Sequence, residues 1–232
     1  MIDHRHVVVR RIARAAPEVV AALEAAGTST VHEAIGRRGF VGADLRPIQQ
    51  GVRLAGSAVT VSSHPGDNLM IHAAVEVCSE GDVLVVTNTA PSTHGMFGEL
   101  LASSLLARGV RGLVIDAGVR DTRELRELGF AVWSRHVSCQ GTVKASPGSV
   151  NVPIVLGAVS VAPGDVVCAD DDGVVVVPRD EAQWAAAQSA ARIAKEDETR
   201  RRLVAGELGV DLYGLRDKLA QLGVEYVDAA EE

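Results

Sequence analysis

The chain has 232 residues, 47% of them hydrophobic and 23% charged, with 23 Gly, 8 Pro and a formal charge of −7. This is the composition of a folded globular chain of one or at most two domains, which excludes disordered and collagen-like classes. Aromatic residues make up only 3% and no basic block occurs, so the core must be Val, Leu, Ile and Ala, and a nucleic-acid partner is not expected. Three cysteines, Cys78, Cys139 and Cys168, form no CxxC pair and fit a reducing compartment. The opening MIDHRHVVVRR reaches charge before any signal-length apolar run, and no stretch of about 18 apolar residues follows. A cytoplasmic location without a membrane partner is the expectation.

In chain order, residues 17–26 carry apolar side chains at helical spacing and stop at Gly27, a helix-terminating glycine. A second helix is predicted over 28–37. Residues 51–62 alternate as a strand does, broken at His64-Pro65-Gly66, and 68–78 read as a helix capped by Asp67 or Asn68. Then come a buried strand (81–88), a helix (98–108) closed by Gly109, a second buried strand (111–116), the loop 117–121 and a helix (122–128). That order is βαβ. Further on, 153–161, 165–169 and 174–177 are short β-rich runs, the last two joined by Asp170-Asp171-Asp172-Gly173, a hairpin-turn composition. These three acids look calcium-like, but no glutamate follows at EF-hand spacing, and a turn is the better reading. Residues 181–203 form a long, charged, Ala-rich helix. The segment after it reads either as an arm docking on a neighbouring subunit or as a helix on its own domain.

GxGxxG, GxxxxGK[ST] and GxSxG are absent, so dinucleotide, P-loop and serine-hydrolase readings have no anchor. His32-Glu33 begins like a zincin helix, but Gly36 stands where the second His belongs, and no helical His pair occurs elsewhere. What remains is Arg120-Asp121, placed between a strand end and a helix start, where ligands of α/β sheets bind. Arg120 offers a cation for a carboxylate or enolate, and Asp121 a hard oxygen for Mg²⁺ or Mn²⁺. Against this, Asp121 and Glu124 have near capping-box spacing, and the two readings stand level. At Gly98-Glu99 the helix N–H groups can bind a carboxylate while Glu99 serves a metal's water. On pattern alone, a helix-dipole role for Glu99 weighs more.

The segments PGDNLMIHAAVE, GELLASSLLARGVRGLVIDAGVRDTREL, QGTVKASPGSVNVPIV, PGDVVCADDDGVVVVP and AGELGVDLYGLR together resemble the RraA-like superfamily. Within it they are most similar to the 4-carboxy-4-hydroxy-2-oxoadipate and 4-hydroxy-4-methyl-2-oxoglutarate aldolases, from about residue 7 to residue 219. The resemblance implies a layered α/β/β/α fold, swivelling-domain-like and not a (β/α)₈ barrel, with a catalytic domain over 1–180 and a C-terminal helical arm over 181–232. It implies a class II pyruvate aldolase, trimeric or hexameric, with sites between subunits. Asp121 would be the direct ligand of a divalent cation, Mg²⁺ first, with Mn²⁺ or Co²⁺ as alternatives. Arg120 and the backbone of Gly98, Glu99, Leu100 and Leu101 would contact substrate, and Glu99 would orient the ion's water. Glu196 of a neighbouring subunit would complete that water shell, with Glu198 as the alternative. The expected reaction cleaves 4-carboxy-4-hydroxy-2-oxoadipate to pyruvate and oxaloacetate, or the methyl analogue to two pyruvates, with oxaloacetate decarboxylation alongside, in aromatic-compound degradation. Two rivals stand beside it: a non-catalytic regulator of an RNA-processing endonuclease, and a Schiff-base aldolase using Lys144, one of only three lysines.

Overall fold

The computed structural model describes residues 6–228. The chain divides into two compact units, residues 1–190 and 191–232. The first unit contains helices α1 (Pro17–Ala26) and α2 (Thr28–Ala34), strands β1 (Arg46–Pro47) and β2 (Leu54–Ser63), α3 (Leu69–Val75), β3 (Asp82–Asn88), β4 (Gly95–Phe97), α4 (Glu99–Leu106), β5 (Gly112–Val119), α5 (Thr122–Glu127) and β6 (Ala131–Val137). It continues with β7 (Ser149–Val150), β8 (Ile154–Leu156), β9 (Val159–Val161), β10 (Val166–Asp170) and β11 (Gly173–Val177). The division between the units falls inside α6 (Ala182–Val204), and α7 (Gly209–Leu212) and α8 (Leu215–Gln221) follow.

Strands run in the order β1-β6-β5-β3-β2-β10-β11, with β4 paired to β5 and β7 to β2. The β6-β5-β3-β2 run is parallel, whereas β1, β7, β10 and β11 join antiparallel. The fold is therefore a mixed α/β sheet and not a (β/α)₈ barrel, whose strands are all parallel and closed.

Alternation along each strand assigns its side chains to different cores. Val83, Val85, Val114, Trp133, Val167, Val174 and Val176 share one cluster with Ile154 and Leu156 of β8. Leu84, Val86, Leu113, Ile115 and Val132 face the other way, against Ile71 of α3, Leu101 and Leu105 of α4 and Leu125 of α5. At the antiparallel end, Val166, Cys168, Val175 and Val177 pack against Val19 and Leu23 of α1, Val31 of α2 and Ala182, Ala185 and Ala186 of α6. The first cluster joins residues from opposite ends of the strand order, so the sheet curls around it. Trp133 on β6 donates its indole N–H to the carbonyl of Asp170 on β10 at 2.8 Å, a bond across three intervening strands that an open sheet could not make. Burying each such Val, Leu or Trp contributes roughly 1.5–3 kcal/mol, offset mainly by chain entropy.

The predicted elements recur with shifted ends, and four strands are additions: β1 and β7, of two residues each, β4 and β6. β6 follows Gly129 as the run AVWSRHV, and β4 has three residues, too few for a periodic signal. Residues 117–119, read as loop, are strand: a register shift between Ile115 and Gly118 lets β5 continue alongside β4. In the second unit, α7 and α8 bury no residue, and Leu208, Tyr213 and Leu222 are exposed.

Candidate active site

Because β4 and β5 are parallel neighbours, with Gly95 opposite Gly118 and Phe97 opposite Val119, their C-terminal ends lie side by side. The ladder runs one residue further, as Arg120 N–H donates to the Phe97 carbonyl at 2.9 Å. Each strand then turns into a helix, α4 after Gly98 and α5 after Asp121. This brings together Gly98, Glu99, Leu100, Leu101, Arg120 and Asp121, which are up to 23 residues apart in sequence.

Gly98 has an extended backbone (φ −156°) that any residue could adopt, so the constraint there is space. An added Cβ would press into Asp121 Oδ2 and come within 3.1 Å of Arg120 Cγ. The close approach lets Glu99 N–H donate to Asp121 Oδ2 at 3.2 Å. Asp121 itself is left-handed (φ 54°, ψ 38°), a conformation costing about 1–2 kcal/mol for a residue with a Cβ. It sits at the cap position of α5 yet makes no side-chain bond to that helix, and its carboxylate turns to α4 instead. The capping-box reading of Asp121 thus fails on geometry.

The carboxylate keeps unused capacity. Oδ2 has one long hydrogen bond and a 3.6 Å approach from Arg120 Nε, and Oδ1 accepts no hydrogen bond from the described residues. The Arg120 and Asp121 side chains are 46% and 39% exposed. Glu99 accepts from Ser103 Oγ at 2.9 Å along its own helix, Leu101 is buried, and Leu100 is 79% exposed. The first-turn N–H groups of α4 have no intrahelical acceptors, as at any helix start. Exposed carboxylate oxygen and water access suit a hard cation such as Mg²⁺, which keeps several waters. Among the described residues no group of three or more His, Cys, Asp or Glu converges as a closed metal cage, so an ion here would rest on Asp121 and water.

Glu196 lies in the second unit, on α6, where it pairs with Arg192 Nε at 2.7 Å; Glu198 pairs with Arg201. Lys144 is exposed on the loop following β6. Cys78 and Cys168 are buried, and burial pushes both thiols up to about 12, which leaves them unreactive near neutral pH. The Asp170–Asp172 turn is committed to backbone and hydroxyl donors: Asp170 to Thr28 N–H, Asp171 to Gly51 N–H and Asp172 to Ser29 Oγ.

Sequence reasoning missed two features. One is a cavity of about 630 Å³ lined by Asn88, His94, Asp116, Arg135, His136 and Val155, which includes none of the six residues above. Its polar residues lie on or beside β3, β4, β5 and β6 and carried no motif spacing. The other is the reach of Asp67, which lies one residue before the Asn68 cap of α3, accepts from Leu69 N–H at 2.9 Å and also holds Ala145 and Ser146, 78 and 79 residues away.

The family model described as Aldolase/RraA matches residues 28–176. The chain belongs to the RraA-like family. This RraA-like chain is 31% identical to a Halalkalibacterium halodurans protein provisionally named 4-hydroxy-4-methyl-2-oxoglutarate aldolase, over 69% of the chain and 76% of that protein. It is 35% identical to a Burkholderia multivorans protein of the same provisional name, over 57% and 80%. The solved structure of Streptomyces coelicolor RraAS2, described as an unusual member of the RNase ES inhibitor RraA protein family, superposes with a TM-score of 0.74 at 30% identity, covering 82% of this chain and 99% of that one. Aldolase names are thus attached to the family at a coarse level, beside a ribonuclease inhibitor. No helix among the described residues is long and apolar enough to cross a membrane.

Proposed function

We propose that this RraA-like chain is a divalent-cation-dependent aldolase that cleaves 4-hydroxy-2-oxo acids to pyruvate and a second oxo acid. The observation that carries the reading is Asp121: a strained, half-exposed carboxylate, released from capping its own helix, with one oxygen unused beside a guanidinium and a helix N-terminus. Asp121 would hold the cation, Mg²⁺ first, while Glu99 and a neighbouring subunit's Glu196 would orient its water. A bound cation supplies Lewis-acid polarisation of the substrate's 2-oxo group. The N–H groups opening α4 at Leu100 and Leu101 receive a carboxylate, and Gly98 keeps that approach open. Arg120 presents a planar fork to the anion left when the C4 hydroxyl loses its proton, the step that starts C3–C4 cleavage. Substrates of this kind are 4-carboxy-4-hydroxy-2-oxoadipate and 4-hydroxy-4-methyl-2-oxoglutarate, of aromatic-compound breakdown, and the same groups would serve oxaloacetate decarboxylation.

The test is pyruvate release from both substrates with and without EDTA. Cation-dependent release supports the reading; full activity in excess EDTA, or inactivation by borohydride with pyruvate through Lys144, overturns it. If active sites form between subunits of a trimer or hexamer, mixing Glu196→Ala and Asp121→Ala proteins under subunit exchange restores part of the activity that each has lost. The likeness to RraAS2 favours a second reading, inhibition of an RNA-processing endonuclease, in which Asp121→Ala would leave the effect intact.

A further inference from the structure

The segment 138–146 is tied down at both ends around the strand that leads to Gly98. At its start, Ser138 N–H donates to the Val119 carbonyl at 2.9 Å, and the Gln140 carbonyl accepts from Gly95 N–H at 2.9 Å. Gly95 has no room for a side chain there, since a Cβ would meet the Ser138 carbonyl and lie 3.1 Å from Arg120 Cβ. At its far end Val143 exchanges backbone bonds with Gly66 and Asn68, and the amides of Ala145 and Ser146 donate to Asp67 Oδ2 at 2.8 and 2.6 Å.

Asp67 is 1% exposed. Burial alone would push its carboxyl up, but the N–H groups of Leu69, Ala145 and Ser146 more than offset that and hold it below the usual carboxylate value. Asn68, 8% exposed, donates Nδ2 to the Met96 carbonyl at 3.1 Å, two residues before Gly98, while its own Oδ1 is buried without a partner. A buried charge and a buried orphan acceptor are both costly, and a helix start needs neither, since one hydroxyl suffices as a cap.

We propose that Asp67 and Asn68 are positioning residues that fix segment 138–146 against β4, so that Arg120 and Gly98 are held in a rigid wall. The proposal rests on the aldolase reading above, and its claim is that loosening a loop which carries none of the proposed catalytic groups lowers turnover. Asp67→Asn keeps the shape, but an amide cannot accept three N–H donors, because its NH₂ meets donors on one side. Asn68→Ala removes the tie to Met96 and the orphan acceptor together, and serves if the first variant does not fold.

Hydrogen exchange, kinetics and cation binding are measured on the full chain. In Asp67→Asn, exchange at Ala145 and Ser146 should rise at least about tenfold. The His72 imidazole, held low by partial desolvation and then by the nearby Lys144 charge, should titrate higher as the loop moves off. Turnover should fall by roughly tenfold, as misplacement near a reacting centre does. Mn²⁺ affinity, read by calorimetry, should stay within about twofold, since Asp121 is untouched. A loosened loop with unchanged kcat and KM overturns the positioning role alone. Wild-type protein that releases no pyruvate overturns the aldolase reading instead. Unchanged exchange at 145 and 146 in both variants shows that the pair holds nothing.

Discussion

Two helices of this molecule have an aspartate just before their first turn, Asp67 ahead of α3 and Asp121 ahead of α5, and the two carboxylates do opposite things. At the start of α3, Asp67 is sealed from water, and its oxygens accept from three backbone amides, two of them from a distant loop. At the start of α5, Asp121 is half exposed, accepts one long bond from a neighbouring helix, and sits in a backbone conformation that an L-residue resists. Saturated and buried, the first is structural. The second keeps a free oxygen and stored strain, features that suit the cation-holding role proposed for it.

Replacing Asp121 should separate the two most sharply. Asp121→Ala is expected to lower kcat at least about 100-fold, some 2.7 kcal/mol of transition-state stabilisation, with unfolding free energy changed by under about 0.5 kcal/mol. Asp121→Gly should be equally inactive and yet up to about 1 kcal/mol more stable, because glycine removes the left-handed strain. Loss of stability in Asp121→Gly on thermal melting would mean that the side chain is structural after all.

For Asp67 the larger effect falls on stability, beside the smaller loss of turnover expected of a positioning residue. Asp67→Ala leaves two or three amides without an acceptor in a buried place and should cost about 2 kcal/mol, or roughly 4–8 °C in Tm for a chain of this size. A melting temperature within a degree of wild type would remove the contrast between the two acids.

Smaller effects test the space around Asp121. Gly98→Ala must displace Asp121 or Arg120 and should lower kcat/KM about tenfold with the fold retained, as circular dichroism and pyruvate release together would show. Arg120→Lys keeps the charge but loses the fork, and a tenfold fall in kcat, about 1.4 kcal/mol, is expected for both cleavage and oxaloacetate decarboxylation.

The smallest effect is a pH dependence. The folded carboxyl of Asp67 lies below its ordinary 3.8, so the unfolded chain binds this proton more readily. Its stabilisation is complete above about pH 4 and disappears as pH falls through the lower, folded value. Acid unfolding curves of wild type and Asp67→Asn should therefore converge below that range. Parallel curves down to pH 2 would show that the carboxylate is not ionised in the fold.

Much of the sheet was legible because strands buried on both faces read as unbroken Val, Leu and Ile runs, as in VLVV of β3 and GLVI of β5, and glycine marked most turns. The candidate site was legible only as residue types and positions. Arg120-Asp121 at a strand end could be ligand or cap, since the spacing to Glu124 serves either. The cap was excluded by β4, a three-residue strand with no period of its own, whose pairing with β5 carries Gly98 against Asp121 and turns the carboxylate away from α5. Likewise PGDN announces a helix start, but the two amides that occupy Asp67 come from 78 and 79 residues further on. Local sequence determines which backbone and side-chain groups are available for hydrogen bonding. Only tertiary packing decides which of them meet, because a buried carboxylate is tolerated where donors converge and a strained one persists where its neighbours leave it no alternative.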